Sequence, residues 1–131
     1  MEKIEVEVSV GELLDKISIL EIKNERIKQQ EKLLNVQKEL ESLMEVKNHR
    51  IEKTSRLDEL FSKLKEVNES LWEIEDKIRD CERNKNFGPE FVSLARSVYI
   101  QNDKRCSVKR EINEIMNSSL IEEKSYAKYL N

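Results

Sequence analysis

The stretch LDELFSKLKEVNESLWEIEDKIRDC, residues 57–81, decides the fold. Reading it by threes and fours meets Leu57, Leu60, Leu64, Val67, Leu71, Ile74, Ile78 and Cys81, all of them apolar. That spacing is the seam of a long packed helix, and no Gly or Pro interrupts it. A helix apolar along one seam needs other helices to cover it. The fold class is therefore all-α, an antiparallel helical bundle in a single domain covering residues 1–131.

Working outward, Ser55 resembles an N-cap for this helix, with Asp58 in its first turn. Asn84, Lys85 and Asn86 end it near Arg83, and Phe87-Gly88-Pro89-Glu90 opens the next. The single proline stands at a first helical position, where its missing N–H costs nothing. That last long helix runs to about Asn117. Ser119 with Glu122 offers a capping box for a short final helix over residues 120–129, which could equally be an extended tail.

Before residue 57, the polar run 47–53, which holds the only histidine, His49, reads as a connection. The first helix starts at Ser9, with Glu12 closing a capping box and Val8 facing Leu13 as a staple. Its main apolar face is Leu13, Leu14, Ile17, Leu20 and Ile27, with Ile19 and Ile22 roughly opposite. A helix apolar on two sides is either central or shared with another subunit, which leads us to expect a homo-oligomer. Past Ile27 the stripe slips by one residue and resumes as Leu33, Val36, Leu40 and Leu43. A turn around residues 28–31 explains the slip and gives four helices. Without it the first two helices are one rod of roughly 55 Å at ~1.5 Å per residue, and the bundle has three. Residues 3–8 alternate Lys3, Glu5, Glu7 with Ile4, Val6, Val8, the pattern of a short strand or an extended arm.

Composition narrows function by exclusion. Charged residues make up 39% of the 131. That suits helices with wide solvated faces, and the sustained periodicity argues against disorder. Acidic and basic residues nearly balance at a net charge of −3, so no basic field for nucleic acid arises. No apolar run approaches a membrane span and no apolar leader opens the chain, so a cytoplasmic protein is expected. Cys81 and Cys106 lack a CxxC spacing and read as small buried side chains rather than a disulfide. No His/Cys ligand pattern, Gly-rich phosphate loop or nucleophile–His pair is present, so no metal, cofactor or catalytic residue is assigned.

One irregularity carries chemistry. The inward stripe of the last long helix, set by Phe91, Ala95, Val98, Ile112 and Met116, passes through Asn102, Arg105 and Lys109. Polar groups inside an apolar stripe cost about 1–3 kcal/mol each when unanswered. Beside the residue 57–81 seam runs a ridge of Phe61, Asn68, Trp72, Glu75 and Arg79. In an antiparallel hairpin about residues 86–88, facing numbers sum to roughly 173–175 by equal rise. Trp72 then lies level with Asn102, Glu75 with Tyr99, and Asn68 with Arg105, while Lys16, Glu21 and Asn24 approach from the first helix. Lys16, Glu21, Asn68, Trp72, Glu75, Arg79, Tyr99, Asn102, Arg105 and Lys109 thus outline a candidate mid-bundle ligand pocket. The competing reading is a structural one, with basic stems laid over the core and the acids as interhelical ion-pair partners. Such networks are the more frequent cause of this pattern.

GELLDKISILEIK (residues 11–23), LWEIEDKIRDCE (71–82), FVSLARSVYIQNDKR (91–105) and EEKSY (122–126) resemble an uncharacterised family of small, all-helical bacterial proteins. The resemblance implies a bacterial or phage cytosolic setting. It also implies association with glycosyltransferase-type and cell-surface polysaccharide proteins, but no activity. Two functions are consistent with all this. One is a non-enzymatic helical module that self-associates and docks to a partner, in surface-glycan biosynthesis. The other is a small-molecule-binding protein or all-α enzyme acting on an anionic or sugar-nucleotide-like ligand.

Overall fold

In the computed structural model, whose described residues are 3–117, 123 and 125–129, the eight seam positions form one side of helix α3 (Ser55–Arg83). Leu57, Leu60, Leu64, Ile74 and Cys81 are buried and Val67, Leu71 and Ile78 half-buried, so no seam residue faces water. Thr54 is the N-cap, one residue before the expected Ser55. Its hydroxyl accepts from the Leu57 N–H at 3.1 Å, satisfying one orphan donor of the first turn. At the far end the Asn86 N–H reaches the Cys81 carbonyl at 2.8 Å and the Lys85 N–H that of Glu82 at 3.2 Å. This double closure places Lys85 in the left-handed region, at φ 54°. Gly88 and Pro89 then start α4 (Pro89–Ile115), two residues shorter than expected.

Helix α1 (Val10–Arg26) is capped as expected, with the Ser9 hydroxyl accepting from the Glu12 N–H at 3.0 Å. The Glu12 carboxylate, expected to close the box, is engaged by Lys109 Nζ of α4 at 2.8 Å. α1 ends at Arg26 and α2 (Gln30–Arg50) begins after a three-residue link, inside the slip in the apolar stripe. Among the described residues four helices therefore form, and the continuous rod does not. α2 runs on through most of the polar stretch read as a connection, so His49 lies in its last turn, exposed, with Nδ1 2.8 Å from the Glu45 carbonyl.

α1 packs against all three other helices, and α3 against α4. Leu13, Leu14 and Ile17 of α1 meet Leu57, Leu60 and Leu64 of α3 and Ile112 of α4, with Leu40, Leu43 and Met44 of α2 closing one side. The two-sided apolarity of α1 is the mark of a central helix. Ile22 is 1% exposed within this chain, so it supplies no argument for a second subunit. Residues 3–8 form no strand among the described residues, and Ile4, Val6 and Val8 stand exposed on the arm. Residues 118–122, where the expected final helix would start, lie outside the described residues, and 125–129 are not helical.

Candidate functional site

The polar interval of α4 is answered by α1. Asp15, 1% exposed, receives Arg105 through Nε on Oδ1 at 2.9 Å and through Nη2 on Oδ2. This two-pronged pair matches the guanidinium fork to the carboxylate, the geometry that most favours a charge pair out of water. Asn68 of α3 donates from Nδ2 to Asp15 Oδ1 at 2.9 Å and to Ser18 Oγ at 2.8 Å. The Ser18 hydroxyl in turn donates to the Asp15 carbonyl at 2.7 Å. One turn toward the start of α1, Lys109 meets Glu12, and the Gly11 N–H donates to Asn113 Oδ1 at 2.7 Å. Asn113 thus caps a helix to which it does not belong.

Gly11 is required by that approach. A Cβ there would lie 2.6 Å from the Lys109 carbonyl oxygen and 2.9 Å from Asn113 Oδ1. Gly11, Asp15, Ser18 and Ile22 recur at helical spacing and are all buried, so they form the face of α1 that enters the α3–α4 groove. Among the described residues, no buried side-chain nitrogen or oxygen lacks a hydrogen-bond partner.

The ten residues expected to outline a pocket do not come together in one place. Asn68, Arg105 and Lys109 join the buried network, and the first two meet on a single carboxylate, in the register expected of the hairpin. Glu21, half-buried, pairs with Lys65 of α3 at 3.7 Å. The hydrogen bond from Lys65 to Glu25, helped by Glu21 and opposed by partial burial, holds the Lys65 ammonium above its ordinary range. Lys16 is exposed. Trp72 and Asn102 are half-buried further along the hairpin, while Glu75 and Arg79 pair with each other on the exposed surface of α3. Tyr99 is exposed and meets Tyr129 edge-on at 5.2 Å between ring centroids. Of the expected inward stripe of α4, Ile112 is buried and Phe91, Val98 and Met116 half-buried, but Ala95 is exposed.

Sequence reading missed the centre of the network. Asp15, Ser18 and Asn113 were not among the candidates, and Glu12 entered only as a cap. The available signal was the row Gly11, Asp15, Ser18, Ile22, whose small and polar members hid it from a search for apolar periodicity. Among the described residues, no three His, Cys, Asp or Glu side chains gather where they could hold a metal ion. No described helix is long and apolar enough to cross a membrane.

Fold and cluster together define an all-α bundle whose central helix is locked into a helical hairpin by a buried polar network. The chain belongs to a family of unknown function, DUF6165, whose model it matches over residues 4–131. No curated protein and no solved structure matches it.

Proposed function

We propose that the protein is a non-enzymatic helical interaction module that self-associates and docks to a partner in the bacterial cytoplasm, in surface-glycan assembly. The observation that carries this reading is the N-terminal arm. Ile4 is 90% and Val6 76% exposed, on a segment whose strict alternation suits strand pairing. Exposed apolar side chains in an alternating row are what addition of a strand to another chain uses. The network supports the same reading, because the basic groups that would have marked a ligand pocket already hold Asp15 and Glu12. The glycan setting rests on the resemblance of the sequence segments alone.

A small-molecule reading requires an anion to displace Asp15 from Arg105. A thermal-shift screen of nucleotide sugars and carboxylates, read beside an Arg105→Ala variant, separates the two. The module reading expects no stabilisation that depends on Arg105. Sedimentation of the intact protein at high micromolar concentration tests self-association. A reversible oligomer is expected, and a species of 15.6 kDa at every concentration contradicts it.

A further inference from the structure

α4 is closed by Asn117, whose backbone is left-handed at φ 51° and whose N–H reaches the Glu114 carbonyl at 3.3 Å. A left-handed residue at a helix end turns the chain aside. The C-terminal segment then comes back to α4 at two points. Glu123 accepts from Arg110 Nη2 at 2.7 Å, and Tyr129 meets Tyr99 edge-on. Its later residue touches the earlier turn of the helix, so the segment runs antiparallel to α4. At ~100° per residue, Tyr99, Asp103, Cys106 and Arg110 fall within about 60° of one another, on one stripe of the helix. Six residues of extended chain reach about 20 Å at ~3.3 Å each, and Tyr99 stands roughly 16 Å from Arg110 at ~1.5 Å per residue. There is little slack between the two anchors, and Asp103 and Cys106 lie on the line that joins them.

Both anchors are shallow. The Glu123 side chain is 74% exposed, and Tyr126, between the anchors, 82%. Residues 125–128 are all exposed, so the segment is held at its ends and buries nothing between them. An exposed ion pair is weak and screened by salt, and a single ring contact adds little. A segment held in this way opens far more readily than the bundle beneath it. We propose that the C-terminal segment anchored at Glu123 and Tyr129 is a strap that closes reversibly over the outer stripe of α4. It shields Asp103 and Cys106 when shut and offers them when open. The occupant of this stripe is the chain's own C-terminal segment, and ionic screening of the Arg110 anchor releases it. Anything else that docks on the stripe must first displace the strap. The strap depends neither on the N-terminal arm nor on self-association.

The two cysteines make the strap measurable. Cys106, half-buried on the stripe, reports whether the strap is shut, and Cys81, buried in the seam of α3, reports opening of the bundle. The full-length protein is alkylated with N-ethylmaleimide, a neutral reagent, and the rate at each thiol is read separately by mass spectrometry. Glu123→Gln removes one anchor, and Tyr129→Ala removes the other with no change of charge. Each should raise the Cys106 rate about threefold and leave the Cys81 rate as in wild type. Rising salt should bring wild-type Cys106 up to the rate of Glu123→Gln, whose own rate stays level. A Cys106 rate unchanged in either variant, or a wild-type rate indifferent to salt, overturns the strap. Cys81 and Cys106 accelerating together overturns it as well, since the bundle would then be opening as a whole.

Discussion

The Asp15 carboxylate is the most demanding group in the molecule, since it is charged, 1% exposed and shared by three helices. Removing one member of a buried ion pair costs about 3–5 kcal/mol, because the other is left charged without compensation. Arg105 keeps 29% of its side chain exposed, so its head can turn to water when Asp15 is lost. We therefore expect Asp15→Ala to cost about 2–3 kcal/mol in urea unfolding, below the usual range for a sealed pair. The double variant Asp15→Leu, Arg105→Met should recover most of that loss, since a well-packed apolar pair is often as stable as a buried ionic one. Single losses that simply add in this cycle would contradict the coupling. At Gly11 the expected sign is opposite to the usual one. Ala for Gly in a helix ordinarily gains about 0.5–1 kcal/mol. Here the new methyl would meet a backbone carbonyl 2.6 Å away, so Gly11→Ala should destabilise by about 1–3 kcal/mol, as overpacking does. Cys81 titrates upward, chiefly through burial and then through Glu90 and Asp80. A folded thiol that keeps its proton while the unfolded one loses it contributes stability that is fully present below about pH 8.5 and declines above it. Cys81→Ala should flatten that alkaline decline in urea midpoints taken across the range, and an unchanged slope would contradict the assignment.

Helix ends were partly legible, and the reasons differ from end to end. Ser9 and Pro89 are residues whose local chemistry matches their place, one accepting from the first turn and the other lacking the N–H that the first turn leaves idle. Thr54 and Ser55 are both capable caps, and sequence alone does not choose between adjacent hydroxyls. The link between α1 and α2 carries neither Gly nor Pro, yet the one-residue slip of the apolar stripe exposed it, because a straight helix could not have buried both halves. The extent of α2 was not legible, since a polar last turn and a polar loop share the same composition. Lys85 is the element-scale anomaly, a side chain in the left-handed conformation that glycine adopts freely. Lys85→Gly should stabilise the α3–α4 turn by about 0.5–1 kcal/mol, read as a higher melting temperature. A loss of stability would mean that the Lys85 side chain contributes more than its backbone costs.

Across the whole molecule, the eight-residue seam and the helix count were enough to predict a bundle, but not which helix lies at its centre. Centrality depends on contacts from three directions, and the apolar pattern of α1 records it only as ambiguity. The candidate site was legible in the same partial way. Asn68 and Arg105 were placed level with one another, and they do meet, but the acid between them comes from a distant part of the sequence. The ridge of Trp72, Glu75 and Arg79 was recognised as a continuous face, although nothing in its spacing revealed that α1 covers only its beginning. Hydrogen–deuterium exchange of the intact protein, compared at low and high micromolar concentration, tests the central claim most directly, that the Asp15 network holds the bundle together and association occurs through the exposed arm. The account predicts slower exchange at high concentration in residues 3–8, with the amides around Asp15 and Arg105 unchanged. Exchange independent of concentration in the arm, or protection that grows around Asp15 and Arg105, would contradict it.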